Sequence, residues 1–157
     1  MSDCCNTPND RGKTTANICP SCGRKAQPVA VLTVKSLAID HARVNAESSY
    51  FFCRTPDCSV VYFSNGYAFH KSDLKVRVGL KETEDPVPLC YCFGYAREDL
   101  RREIEVYGTS EIPGRIKAEV QAGFCACEVK NPSGTCCLGE VNRAVVEMKT
   151  RTSPAAK

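Results

Sequence analysis

The stretch "PLCYCFGYAREDLRR", residues 88–102, sets two cysteines one residue apart, Cys90 and Cys92, directly ahead of a charged run of helical character. A disulfide closing so small a ring would be badly strained. Two thiols held this way suit a shared metal ion or cluster, and the remaining cysteines bear on which. The stretch also divides the chain. The text before it is rich in β-formers, and the text after it is helical.

On the C-terminal side, "REDLRREIEVYG" at 97–108 carries Leu100, Ile104 and Tyr107 on one helical face, and Gly108 ends it. "TSEIPGRIKAEVQAG" at 109–123 has Ser110 as a cap candidate, Ile112, Ile116 and Val120 at helical spacing, and Gly123 as a stop. "LGEVNRAVVEMK" at 138–149 is a third amphipathic helix through Leu138, Val141, Val145 and Met148. On the N-terminal side, "VAVLTV" at 29–34, "SYFFCR" at 49–54 and "SVVYFS" at 59–64 read as strands. "NGYAFH" at 65–70 opens with a hairpin-turn dipeptide, and "LKVRVGL" at 74–80 alternates as a half-buried strand does. The expected architecture is α+β. A polar tail at 1–17, expected to be disordered, precedes a β-rich domain at 18–80. A charged linker, "KETEDPVP" at 81–88, leads to a three-helix domain at 89–150 and a frayed tail at 151–157.

Two domains of this size have thin cores. The chain has 157 residues, 43% hydrophobic and without Trp, and a domain of about 60–75 residues is marginal without a staple. Twelve cysteines can supply one. The opening "MSDCCNTPNDRGKTTANIC" is polar and lacks the apolar core of a secretory signal, and no run is long enough to span a membrane. The expectation is a cytoplasmic chain with reduced thiols, in which paired cysteines are metal or redox sites. A formal charge of +3, with no basic stripe interleaved with aromatics, argues against nucleic acid.

"CPSC" at 19–22 and "CRTPDC" at 53–58 each place two sulfurs on a tight turn. Zinc takes four tetrahedral thiolates, and Cys19, Cys22, Cys53 and Cys58 provide them as a closed structural site. One pair alone would equally serve thiol redox chemistry, and reduced core cysteines are the bland alternative. His41 and His70 are not needed as ligands, since four cysteines already fill the site.

Cys90 and Cys92 take their partners from "CACEVKNPSGTCC", residues 125–137. Four thiolates there hold either a second zinc or a 2Fe–2S cluster, and spacing alone does not choose the metal or the two late ligands. The helices starting near Arg97 and Leu138 are expected to turn their N-terminal N–H groups toward the anionic sulfurs.

Together, "VVYF" at 60–63, "LKVRVGLKE" at 74–82, "LCYCFGY" and "VKNPSGTCCLGEV" resemble the N-terminal half of the CopZ-type copper chaperones. The part from Cys90 onward resembles the bacterioferritin-associated ferredoxin. The resemblance covers about residues 18–148. It implies zinc on Cys19, Cys22, Cys53 and Cys58, and a 2Fe–2S cluster on Cys90, Cys92, Cys127 and Cys137. Cys125 and Cys136 are then spare thiols beside the cluster. The M-x-C-x-x-C copper loop of those chaperones is not among these 157 residues.

The expected function is a zinc- and 2Fe–2S-binding electron-transfer accessory in the handling of copper or another soft metal. Its expected partners are an electron donor and a copper-carrying protein or metal transporter. Arg97, Arg101, Arg102 and Lys130 are candidates for docking an acidic partner, and a solvated helix face is the competing reading. The alternative function is a non-redox, zinc-stabilised interaction module. Cys4 and Cys5 are a candidate soft-ion capture pair, against an incidental exposed pair. No enzymatic constellation is read: Glu82, Glu84 and Asp85 lie in the linker, and there is no glycine-rich phosphate loop.

Overall fold

The computed structural model describes residues 17–152. The N-terminal tail, with Cys4 and Cys5, and the last residues of the chain lie outside the described residues. Strands β1 (Gln27–Val29), β2 (Tyr50–Phe52), β3 (Val60–Ser64) and β4 (Tyr67–His70) form an antiparallel sheet in that order. Phe52 stands opposite Tyr62, and Phe51 opposite Phe63. The Asn65-Gly66 turn joins β3 to β4, with Gly66 at φ +85°, a conformation that costs glycine nothing. Both faces of β3 are covered: Val60, Val61, Tyr62 and Phe63 are all buried.

Two expected strands are not strands. Of the first, expected at 29–34, only Val29 is in a strand, as the end of β1, and Val31–Leu37 forms helix α1. β-branched residues favour strands, but Val34 and Leu37 recur at helical spacing and bury against the sheet, and burial overrides propensity. The alternating segment 74–80 makes one isolated bridge, Leu74 to Ala38, before the tight turn Gly79–Lys81. Its apolar side is still used, with Leu74 and Val78 buried in the same cluster. The segment 81–88 is packed at both ends: Lys81 is 4% exposed and Val87 3%.

The chain then enters a small hairpin, β5 (Pro88–Cys90) with β6 (Tyr95–Ala96), whose turn carries Cys92. Helix α2 (Arg97–Tyr107) ends at Gly108, which is left-handed at φ +76°. Helix α3 (Ile112–Gln121) starts beside Ser110, whose hydroxyl accepts the Ile112 N–H at 3.2 Å. A single turn, α4 (Cys127–Lys130), precedes the long helix α5 (Leu138–Thr152). The described residues thus hold five helices, with α2, α3 and α5 matching the three expected ones. Leu100, Ile104, Ile112, Ile116 and Val141 form their common core.

The halves meet through the segment Asn131–Gly134. The buried Tyr62 hydroxyl donates to the carbonyl oxygen of Pro132, and Gln27 Nε2 donates to that of Ser133 at 3.3 Å. Arg54 reaches Gln27 Oε1 at 2.9 Å and Glu140 Oε1 at 2.7 Å. Asn131 shapes the loop from within, accepting the Ser133 N–H at 3.0 Å and donating to the Thr135 carbonyl at 2.9 Å.

Candidate metal centres

Cys19 and Cys22 sit on a turn closed by the Gly23 N–H donating to the Cys19 carbonyl at 2.9 Å, with Gly23 at φ +72°. Cys53 follows β2, its N–H bonded to the Val61 carbonyl at 2.9 Å, and Cys58 stands at the far side of a corner closed by its N–H to the Thr55 carbonyl at 3.2 Å. These two turns bring all four Sγ atoms within 4.8 Å of one another. Cys19 and Cys58 are 3.8 Å apart, and Cys22 and Cys53 are 3.7 Å apart. Four sulfurs at the usual zinc–sulfur distance stand about 3.8 Å apart in a tetrahedron, so the set fits zinc as it lies.

The electrostatics suit a cation among the sulfurs. The Thr55 hydroxyl, 3.2 Å from Cys22 Sγ, and the Arg24 backbone hold the Cys22 thiol down at about 6, whereas burial pushes Cys19 up to about 12. Close sulfurs cannot all carry negative charge unless a positive ion offsets it. Cys19, Cys53 and Cys58 are buried, which leaves little room for an added ligand and suits a structural rather than a catalytic metal.

The second cysteine set converges as well. Cys90 ends β5, Cys92 lies in the hairpin turn, Cys127 starts α4, and Cys137 directly precedes α5. Cys92 Sγ is 3.5 Å from Cys127 Sγ, and Cys137 interacts electrostatically with both Cys127 and Cys90. The four are thus neighbours around the head of α5. Among the described residues, only the first set gathers three or more ligand atoms within 4.8 Å of one another. The Cys137 thiol holds Cys90 down at about 7 and Cys127 at about 6, and is itself driven up by them; burial pushes Cys92 up to about 11. The Ala126 N–H donates to Cys92 Sγ at 3.2 Å. Cys90 and Cys137 are buried, and Cys92 and Cys127 half-buried.

Helix α5 meets this set with its N-terminus, since Val141 N–H donates to the Cys137 carbonyl at 2.9 Å. Helix α2 does not meet it in the way expected. Its first turn is closed by Asp99 accepting the Ala96 N–H at 2.8 Å, and Arg97 N–H goes to the Val87 carbonyl at 2.9 Å. Cys125 is half-buried and Cys136 exposed, beside Cys127 and Cys137 in the chain.

His41 lies in an exposed turn, and the His70 ring bonds the Ser59 hydroxyl at 3.1 Å. The basic docking candidates are largely engaged with their own chain: Arg97 with Glu147 at 3.7 Å, Arg101 with Asp85 at 2.8 Å and Arg102 with Asp99 at 3.8 Å. One contributor near the first centre escaped sequence reasoning altogether: the buried Lys81, from a segment that reads as solvated linker. Among the described residues, no helix is long and apolar enough to cross a membrane.

A family of CopZ-type zinc binding domains matches residues 16–75, a span that contains all four cysteines of the first centre. The copper chaperone CopZ of Archaeoglobus fulgidus is 35% identical over 128 residues, covering 80% of this chain. The chain spans 60% of that relative's length. The X-ray structure of the A. fulgidus CopZ N-terminal domain is similar with a TM-score of 0.64 and 34% identity, over 80% of this chain and 95% of that one. The structural likeness therefore extends past residue 75 into the helical half.

Proposed function

Because this chain belongs to the family built on the CopZ N-terminal domain, we propose that it is a zinc-stabilised redox accessory of copper handling, carrying a 2Fe–2S cluster in its helical half. Cys19, Cys22, Cys53 and Cys58 hold zinc and fasten the β-rich half. Cys90, Cys92, Cys127 and Cys137 hold the cluster. The halves correspond to residues 18–80 and 89–150.

One observation carries the cluster reading. In the first set all four sulfurs lie within 4.8 Å of one another, and among the described residues no three sulfurs of the second set do. A single zinc needs every ligand pair near the tetrahedral spacing, whereas a dinuclear centre takes two thiolates on each iron and sets the pairs apart. When bound, a 2Fe–2S cluster supplies a one-electron carrier. The chain's own groups do the rest. The Ala126 N–H offsets part of the cost of burying a thiolate at Cys92. The burial of Cys90 and Cys137 shuts water from one side, and the half-buried Cys92 and Cys127 leave the other side within reach of partners.

The substrate is Cu(II). One electron from an external one-electron donor, relayed through the helical half, gives Cu(I), the form that thiolate carriers select. The donor loses one electron, and a copper-carrying protein or transporter receives the reduced ion.

Metal and sulfide analysis of anaerobically purified protein tests the reading. The expected content is about one zinc, two irons and two sulfides per chain, with a red-brown colour. A colourless protein with two zincs, made where iron and sulfide are plentiful, would establish the non-redox interaction module instead.

A further inference from the structure

Lysine is seldom fully buried without a partner that offsets its charge. Lys81 is 4% exposed, and its Nζ donates to the Thr55 carbonyl at 2.6 Å and the Cys58 carbonyl at 2.9 Å. Both acceptors lie in the corner that carries Cys53 and Cys58. The nearby ion pair excludes it: Glu82 pairs with Lys71 at 3.8 Å and Arg77 at 3.2 Å. Two carbonyl dipoles satisfy hydrogen bonds without supplying a compensating negative charge. The adjacent four-cysteine set does supply one, because four thiolates around a divalent ion leave two negative charges in a largely buried site. Thr55 joins the two systems, its carbonyl accepting from Lys81 and its hydroxyl 3.2 Å from Cys22 Sγ.

We propose that Lys81 is the positioning residue and countercation of the four-cysteine centre. Its two hydrogen bonds pin the corner between Cys53 and Cys58, so that both sulfurs face Cys19 and Cys22. Its charge offsets part of the charge of the loaded site. It also begins the segment that leads from the β-rich half to the helical half, so the crossing chain is anchored on the metal loop. This role rests on the four cysteines holding zinc.

The test uses the full chain, zinc-loaded, as wild type and as the variants Lys81→Met, Lys81→Gln and Lys81→Arg. Zinc release into excess coloured chelator is timed, and melting is followed with and without zinc. Lys81→Met takes the buried donor from the Cys58 carbonyl and leaves the Thr55 carbonyl only the Cys58 N–H, and it is expected to release zinc at least about tenfold faster than wild type. Lys81→Gln, which keeps a donor but no charge, is expected in between, and Lys81→Arg near wild type. The fall in melting temperature is expected chiefly in the zinc-loaded protein. Release of zinc by Lys81→Met at the wild-type rate, or an equal melting loss with and without zinc, would overturn the role. Lys81→Arg releasing as fast as Lys81→Met would overturn the countercation. If Lys81→Met does not fold, Lys81→Gln against wild type gives the same decision. A wild type that binds no zinc would instead end the reading of the centre itself.

Discussion

The Thr55 hydroxyl is the largest influence on Cys22, holding its thiol at about 6 against an ordinary 9. A lowered pKa means the folded state favours the thiolate. In metal-free protein that stabilisation is complete above pH 9 and is lost as pH falls toward 6. Thr55→Val removes the donor, so the pH at which half the zinc is lost on dialysis is expected to move upward, read by metal content across a pH series. The same asymmetry orders reactivity. With the metal stripped at neutral pH, Cys22 is expected to alkylate well before Cys19, whose burial keeps it a thiol, and mass spectrometry of the peptides checks this. The two cysteine pairs were legible from sequence because each pair is a local turn with a fixed spacing. Thr55 and Lys81 were not, since what matters is a hydroxyl and an ammonium meeting the metal loop, and nothing in composition or periodicity marks such contacts.

Among the elements, α3 is held to α5 mainly by Ile112 and Ile116, both buried. Ile116→Ala opens a cavity there and is expected to cost roughly 2–5 kcal/mol in denaturant unfolding. Gly134 is constrained in a different way. It stands at φ +70°, and an added Cβ would meet Thr33 Oγ1 at 2.9 Å. Gly134→Ala is therefore expected to destabilise by about 1–2 kcal/mol through backbone strain and crowding against α1, measured the same way. The helices α2, α3 and α5 were legible because their apolar residues recur at one period and glycines end α2 and α3. Helix α1 was not: its β-branched run reads as strand until the sheet supplies a surface for Val34 and Leu37. The alternating segment 74–80 likewise had the strand pattern but, apart from one bridge at Leu74, pairs with no strand among the described residues.

At the scale of the whole molecule, the two halves share a buried contact and an exposed one, of unequal weight. Tyr62→Phe removes the hydroxyl that satisfies the Pro132 carbonyl in a buried setting and is expected to cost about 1–3 kcal/mol in chemical unfolding. Arg54→Ala breaks a partly exposed ion pair with Glu140 and is expected to cost less than about 1 kcal/mol. The segment clamped by Tyr62, Gln27 and Thr33 is the one that runs from Cys127 to Cys137. Cys127 and Cys137 thus borrow their spacing from the opposite half of the protein. Biogenesis therefore has a built-in sequence. On the proposed assignment, the β-rich half folds around its ion before iron is loaded, and protein made without zinc is expected to stay colourless.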